Sequence, residues 1–296
     1  MRQLLTMPPG GDPAFAPLAD SRMYWPVQRA RLQWAVRDAF QSFVGIPLER
    51  LLFNAWSHGL PGAAQVERLG LSRRVIEREL GSGLVARVNP RQLIRSTHWR
   101  GVPKHRRPSA TAFIWDGRWD LRRGDLRQGS RYRFISDLDE HRHDLTGSEA
   151  FRYYKAQLEA GRPWRSHQKG VLLDSEARIL AYLGVYLSFM DDMAARGFDA
   201  WRGKDALGVA VTREGRLLKI NRGLHRLAMA QRVGLDSVPV TVKAVHRQWW
   251  HEVTAGTTGR AALEEVTAAL ATCTPETEPG ALDPLDSPDD FTWPSP

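Results

Sequence analysis

Apolar residues recur at helical spacing in the first third of the chain and predict two helices there. The first covers residues 26–43, and its apolar face is formed by Leu32, Val36, Phe40 and Phe43. The second runs from Pro47 into Trp56, and its buried side is formed by Leu48, Leu51, Leu52 and Ala55. Because each set falls on one side of its helix, we expect both faces to pack against the body of the protein.

Helices of the same kind are predicted further along the chain, separated by short strands. The helical segments are 148–161, 174–196 and 260–271, and the first of them begins at Ser148 as an N-cap. Residues 112–121 alternate as a strand with a tight turn at Asp116-Gly117, and residues 132–135 form a further strand. From residue 272 onward the chain is rich in proline and acidic residues, a composition typical of disorder.

The most regular pattern occupies residues 207–247. Two short strands, 208–211 and 216–220, flank Glu214-Gly215, which is a turn signal of hairpins. Gly223 then breaks the chain, a helix follows, and Gly234 ends it. A third strand covers residues 237–245. The order is therefore strand, turn, strand, helix, strand.

Polar chemistry concentrates where the second of these strands meets the helix. Asn221, Arg222, Gly223, His225 and Arg226 span the junction. A helix start presents unpaired N–H groups and the positive end of the helix dipole, so basic residues there indicate a phosphate or carboxylate ligand. The alternative is that Arg226 pairs with a local carboxylate and His225 packs or caps the helix.

This junction resembles the ParB/sulfiredoxin superfamily. The likeness rests on Gly-x-His-Arg at a helix start, followed by Gly-Leu and a Val-Pro-Val strand, and it covers residues 205–247. Two positions depart from the family pattern, with Arg222 where many relatives have Asp, and Leu224 where sulfiredoxins carry a reactive Cys. The resemblance implies a phosphate cradle at Asn221, Arg222, Gly223, His225 and Arg226, and it argues against sulfinic-acid reductase chemistry.

The same resemblance implies an α+β fold, in which a small mixed sheet with flanking helices follows an N-terminal helical region. We divide the chain into a flexible N-terminus (1–20), a helical region with a basic strap (21–110), the ParB/sulfiredoxin-like domain (111–271) and a disordered acidic tail (272–296). The first function implied is binding of a nucleoside di- or triphosphate, with Mg²⁺ possible, by a phosphotransferase or NTPase. Candidate catalytic residues are Asp116, Asp120 and His246.

Charge supports a second function, binding of DNA or RNA. The net charge is +9, and residues 271–296 hold six acidic residues and no basic ones. The strap that would contact phosphates contains Arg91, Arg95, Arg100, Lys104, Arg106 and Arg107. A solvated basic loop is the alternative, and a scaffold that keeps the fold without activity is a third hypothesis.

Composition excludes some other classes. The single cysteine, Cys273, cannot form an intramolecular disulfide, which indicates a reducing compartment and hence the cytoplasm. The sequence contains no apolar stretch of the roughly 18 residues that a membrane span requires, so no membrane partner is expected. Acidic and histidine residues cluster at 137–144 without an established metal-ligand spacing, and we predict no metal site.

Overall fold

The computed structural model describes residues 12–99, 101–167, 169–200, 206–220, 222–283 and 291–294. Its α-helices are α1 (Tyr24–Phe40), α2 (Ile46–Ser57), α3 (Ala63–Arg68), α4 (Arg73–Leu80), α5 (Ser130–Glu140), α6 (Glu149–Glu159), α7 (Glu176–Arg196), α8 (Leu224–Val233), α9 (Arg247–Thr254) and α10 (Gly259–Leu270). Its strands are β1 (Val85–Val88), β2 (Arg95–Thr97), β3 (Ile114–Trp115), β4 (Arg123–Asp125), β5 (Trp164–Ser166), β6 (Val171–Leu173), β7 (Leu207–Val211), β8 (Arg216–Lys219), β9 (Val238–His246) and β10 (Thr274–Pro275).

One mixed sheet organises the fold. Its strands lie in the order β1-β9-β7-β8-β2-β4, while β3 joins β9 and β10 joins β8. β7 pairs antiparallel with β8 but parallel with β9. Strands β5 and β6 form a separate antiparallel pair. The predicted α+β class with a mixed sheet and flanking helices is confirmed at this level.

The central stretch folds as its pattern predicts. Gly215 takes the left-handed conformation, with φ of 79°, in the turn between β7 and β8. Val209 and Val211 on β7 and Leu217 on β8 are fully buried, which accounts for the apolar runs in the sequence. Gly234 ends α8 in the left-handed conformation, so its lack of a Cβ permits the helix stop.

Two strand predictions between residues 112 and 135 are wrong. Residues 132–135 lie in α5, where Tyr132 and Ile135 are buried at helical spacing. Aromatic and β-branched residues suit strands and buried helix faces alike, so this short segment was ambiguous. Of residues 112–121, two form a strand, β3, which pairs with β9 rather than folding back as a hairpin. The turn at Gly117 is present, with φ of 99°.

Helix α1 continues through a π-helical turn, Gln41–Gly45, directly into α2, and we call residues 24–57 the arm helix. The predicted inward face is wrong, because Leu32, Val36, Phe40, Phe43, Leu48, Leu51 and Leu52 are all exposed. The arm helix instead contacts the body through Val27 near its beginning and Phe53 and Trp56 near its end. Every residue from 32 to 40 is exposed.

The chain ends also differ from the predicted disorder where the structure describes them. Phe15 and Leu18, in the first segment, are buried against the core. In the acidic tail, β10 pairs with β8, and Glu276 is buried in an ion pair with Arg123. The thiol of Cys273 is buried beside this contact, and burial raises its pKa to about 11.

Candidate functional site

The turn before α8 has the backbone conformation that the predicted phosphate cradle requires. Arg222 and Gly223 are both left-handed, with φ of 81° and 68°. A Cβ on Gly223 would lie 2.8 Å from Cδ2 of Leu207, so the close approach of the chain there depends on glycine. Asn221 lies outside the described residues. Because β8 runs antiparallel to β7, the turn that follows β8 lies at the sheet edge where β7 begins.

A buried lysine holds this turn in place. The Lys219 side chain is fully buried, and its ammonium donates hydrogen bonds to the carbonyls of Gly208 (3.1 Å), Arg222 (2.5 Å) and Ile220. Hydrogen bonds to a charged donor are stronger than neutral ones, and leaving this donor without acceptors would be costly. Lys219 thus fixes the carbonyls of the turn that leads into α8.

The start of α8 lies beside the start of α5. The first turns of both helices line one cavity, α5 with Gly129, Ser130 and Arg131 and α8 with Leu224. At the other end of the helix pair, Arg232 forms ion pairs with Asp139 (2.8 Å) and Glu140 (3.1 Å). The N-cap residues are Gly129 and Gly223, neither of which has a side chain to cap the helix. The positive end of α5 therefore lies at this space, while α8 borders it with its first residue and with Leu227, Ala228 and Gln231 along one side.

This space, which we call the larger cavity, has a volume of about 720 Å³. The basic side chains in its lining outnumber the acidic ones, and they are Arg95, His98, Arg122, Arg123 and Arg131. Two carboxylates, those of Asp125 and Asp283, also line it. Both have partners, since Asp125 pairs with Arg127 at 2.6 Å and Asp283 accepts the N–H of Arg123 at 2.8 Å. The lining thus holds four arginines against two carboxylates.

The arginines of the larger cavity fall into two groups. Arg95 and Arg123 are buried, and they bond to the C-terminal segment at Thr277 and Glu276 respectively. Arg122 and Arg131 are exposed, and Arg131 lies close enough to His225 to affect its protonation. The second group is therefore available to an anion, whereas the first helps to build the wall.

A smaller cavity of about 290 Å³ lies on the opposite side of α8, and His225 and Arg226 line it together with Lys169. The Arg226 guanidinium stacks 4.3 Å from the ring centre of Phe198 and donates to the Asp199 carbonyl. The Lys169 ammonium donates to the hydroxyls of Tyr182 (3.1 Å) and Tyr186 (2.5 Å). This cavity is small, with two cations held against aromatic walls.

His225 is a packing residue rather than a cation at neutral pH. Its ring contacts Phe134 and Tyr186, with centres 5.8 and 5.5 Å apart. Burial lowers its pKa to about 4, with a further lowering from the nearby charges of Arg131 and Lys169. The predicted contribution of a charged His225 to phosphate binding is therefore not supported by its surroundings.

The low pKa of His225 predicts a loss of stability in acid. The unfolded chain takes up a proton near the ordinary pKa of 6.5, while folded His225 stays neutral until about pH 4, so stability falls as pH falls through this window. We expect His225→Gln to remove about 2 kcal/mol of the decrease in unfolding free energy between pH 7 and pH 4.5. Urea titrations at both pH values measure this, with His105→Gln, an exposed histidine, as the control. Equal pH dependence in wild type and His225→Gln would contradict it.

The three candidate catalytic residues lie together, but far from the predicted cradle. His246 ends β9, which runs parallel to β7, whereas Gly223 follows β8, which runs antiparallel to β7. The end of β9 and the end of β8 consequently lie at opposite edges of the sheet. His246 therefore lies at the opposite sheet edge from the cradle, because β9 runs antiparallel to β8, the strand that leads to Gly223.

Asp120 and His246 lie beside Arg213, whereas Asp116 pairs with Arg247. Asp120 is fully buried and accepts hydrogen bonds from the Arg213 backbone N–H (3.0 Å), Nε (2.9 Å) and Nη2 (2.7 Å). His246 Nδ1 accepts from the N–H of Gln248, so Nε2 carries the proton and donates to the Gly117 carbonyl at 3.0 Å. Asp116 is exposed and pairs with Arg247 at 2.9 Å. With both ring nitrogens engaged, His246 has no free lone pair to act as a base.

The basic strap is divided between internal and exposed side chains. Three of its arginines bond to backbone carbonyls: Arg91 to Gln231 and Pro294, Arg95 to Thr277, and Arg107 to Val102 and Trp99. Lys104 and Arg106 are exposed in a 3₁₀ turn. Arg100 lies outside the described residues. The strap therefore offers two of its described cations to a partner.

Three residues of the site were not among the sequence candidates: Arg122, Arg131 and Lys169. Arg131 follows a glycine at a helix start, the same local pattern as at Gly223, and the pattern was hidden when residues 132–135 were interpreted as a strand. Arg122 and Lys169 reach the cavities through tertiary packing, for which no local pattern exists.

Comparison with protein-family models, curated proteins and solved structures finds no match to this chain. Among the described residues, no group of three or more His, Cys, Asp or Glu side chains is arranged to hold a metal ion. In the described part of the chain, none of the helices has both the length and the apolar character needed to cross a membrane.

Proposed function

We propose that the protein binds a nucleoside di- or triphosphate, with the phosphate groups against the starts of α5 and α8 in the larger cavity. The observation that carries this proposal is the pair of glycine-capped helix starts that line one cationic cavity. Backbone N–H groups at a helix start bind phosphate, and the dipole of each helix adds to the attraction. Of the turn Gly223-Leu224-His225-Arg226, which resembles a phosphate-binding turn, Leu224 lines this cavity, whereas His225 and Arg226 line the smaller one.

The size and the charges of the larger cavity support a nucleotide. Ligand pockets have volumes of about 300–1,000 Å³, and the cavity falls within this range at about 720 Å³. Arg122 and Arg131 supply exposed guanidinium groups that can bind phosphate oxygens in pairs. Mg²⁺ would enter with the nucleotide, since it is commonly bound through phosphates and water with few protein ligands.

A thermal-unfolding panel tests the proposal, with ATP, ADP, CTP and GTP, each with and without magnesium. Ligand at about a hundred times its dissociation constant adds about 2.7 kcal/mol of stability, which raises the melting temperature measurably. We expect one nucleotide to stabilise the wild type and to lose that effect in Arg131→Ala. Arg78→Ala changes an exposed arginine on α4, away from both cavities, and serves as the matched control.

The results of this panel test nucleotide binding separately from the choice of cavity. No stabilisation by any nucleotide would contradict nucleotide binding. A stabilisation that Arg226→Ala abolishes and Arg131→Ala retains would move the phosphates to the smaller cavity. No catalytic step is proposed, because Asp116, Asp120 and His246 lie at the opposite edge of the sheet and are engaged in bonds within the protein.

DNA or RNA binding is the second candidate function, and one observation favours it. Lys104 and Arg106 are exposed and form no hydrogen bond or ion pair with the described residues. Fluorescence anisotropy with labelled single- and double-stranded DNA and with RNA tests this at several salt concentrations. If nucleic acid is the partner, Lys104→Glu/Arg106→Glu should weaken binding and lower its salt dependence. Unchanged binding in that variant would contradict a role of the basic strap in binding nucleic acid.

A further inference from the structure

The arm helix presents an apolar stripe that the rest of the described chain does not cover. Seven residues form it: Trp25, Leu32, Val36, Phe40, Val44, Leu48 and Leu51. Each is at least half exposed, with values from 51% for Val44 to 78% for Trp25. Phe43, which is 81% exposed, stands beside them. Side chains of this kind are normally withdrawn from water.

The π-helical turn keeps the two ends of the arm helix in register. A regular α-helix advances about 100° per residue, which would place Val27 and Phe53 about 80° apart around the axis. The extra residue in the turn Gln41–Gly45 compensates for nearly all of this angle, so that both residues face the body. The same correction places Leu48 and Leu51 on the outer side with Leu32 and Val36. The stripe is therefore one continuous face.

The area of the stripe matches that of a protein interface. Aromatic side chains present about 150–250 Å² each, so the exposed parts of Trp25, Phe40 and Phe43 amount to about 400 Å². The exposed aliphatic residues add a comparable area. The total approaches the roughly 800 Å² per partner of a standard interface, and it exceeds the largest apolar patch of a typical monomer, about 300–600 Å².

We propose that a second copy of this chain covers the stripe, and that the two arm helices pack antiparallel about a two-fold axis near residue 38. Six of the seven stripe positions form three pairs that are symmetric about that point, and the seventh, Leu48, would lie opposite Gln28. An antiparallel pair would place Val36 opposite Phe40, Leu32 opposite Val44 and Trp25 opposite Leu51. A self-complementary face is what a two-fold symmetric dimer requires.

The residues beside the stripe favour a protein partner over a lipid surface. Ala35 and Ala39 are exposed along one edge of the stripe, and such small side chains let two helices approach to about 8–10 Å. Gln33 and Arg37, one helical turn apart, border the other edge. Helices that lie on anionic membranes carry several lysine and arginine residues along both borders, whereas Ala35 and Ala39 form a border without charge. Arg29, between Trp25 and Leu32, can pack its aliphatic stem and extend its charge to water.

Sedimentation equilibrium on the full-length chain tests the dimer. We expect the wild type to be dimeric at micromolar concentration, and Val36→Asp/Phe40→Asp to raise the dissociation constant at least about 100-fold, since each change occurs twice at a two-fold interface. Asp38→Asn changes a charge on the side of the arm helix opposite the stripe and is the control. The far-ultraviolet circular dichroism of each variant reports whether the arm remains helical.

A mixing experiment tests the antiparallel register. Leu32→Lys alone and Val44→Glu alone should each weaken the dimer, because each places two charges against apolar residues. Mixed together, they should form a heterodimer in which one Lys–Glu pair meets at residues 32 and 44 and the second contact is native. A wild type that is monomeric at about 100 µM, or a dimer that the Val36/Phe40 variant leaves intact, would overturn the proposal. So would binding of the stripe to phosphatidylserine vesicles by a monomer.

Discussion

Asp120→Ala is expected to lower the free energy of unfolding by about 3 kcal/mol, because it removes a fully buried carboxylate from the Arg213 side chain, which is itself 25% exposed. Asp120 is fully buried and accepts three hydrogen bonds from Arg213, and the Nε2 atom of His246 lies 3.8 Å from its carboxylate. Burial raises the pKa of Asp120, but the hydrogen bonds from Arg213 outweigh that effect and hold the pKa below its ordinary value.

The loss of stability in Asp120→Ala would include contacts that the carboxylate does not make itself. Arg213 also donates to the Gly117 carbonyl at 3.0 Å, and Gly117 accepts from His246, so this cluster joins the β7–β8 turn to the end of β9. Without Asp120, the Arg213 guanidinium must find water or another acceptor, and the turn loses its anchor. The cost therefore includes an unsatisfied charged donor as well as the lost pair.

Urea titration of wild type and three variants measures this effect. Asp120→Asn keeps the shape and part of the hydrogen bonding, so its cost should fall between wild type and Asp120→Ala. Asp116→Ala removes an exposed carboxylate four residues away, and surface ion pairs contribute about 0–1 kcal/mol. If Asp120→Ala were no more destabilising than Asp116→Ala, the buried cluster would not hold the sheet edge.

Arg123→Ala is expected to destabilise the protein by a similar amount, about 3–5 kcal/mol. The Arg123 side chain is 7% exposed and pairs with Glu276, itself 8% exposed, and with Glu214 at 3.1 Å. Its Nε atom donates to the Asp120 carbonyl at 2.8 Å. Removing the guanidinium leaves the Glu276 carboxylate buried, so the C-terminal segment should detach from β8.

A double variant separates the buried charge from the lost packing. Replacing both members of a buried pair by apolar residues of similar size is often nearly neutral. Arg123→Met/Glu276→Met should therefore cost markedly less than Arg123→Ala alone. Limited proteolysis reports the position of the segment, because a detached C-terminus is cleaved sooner. Equal costs for the single and the double variant would show that the uncompensated charge is not the source of the instability.

The parts of the fold that could be predicted were those set by neighbouring residues. The β7–β8 turn, the Gly223 helix start and the caps at Ser148 and Gly234 each depend on a short local pattern. Ser148 accepts the N–H of Phe151 at 3.1 Å, as a capping serine should. The start of α8 was located for the same reason.

Other features depend on tertiary contacts between residues that are distant in the sequence. The spacing of Leu32, Val36 and Phe40 predicts an apolar helix face, but it carries no information about which surface covers that face. The acidic tail has an overall composition typical of disorder, although the buried contacts of Glu276 and Cys273 anchor it. The pairing of β9 with β7 moved His246 to the opposite sheet edge from Gly223, and Arg122 and Lys169 came to the cavities by packing alone.

The buried Cys273 is a native probe of how firmly the C-terminal segment is attached, so no residue need be introduced to measure it. It is the chain's single thiol, and its pKa of about 11 leaves almost no reactive thiolate at neutral pH while it stays buried. A thiol reagent would therefore modify the chain chiefly when this region opens, as amide protons exchange through local unfolding. The rate of modification therefore measures how often that region opens. If nucleotide slows or accelerates the modification, the larger cavity and the C-terminal segment are energetically coupled.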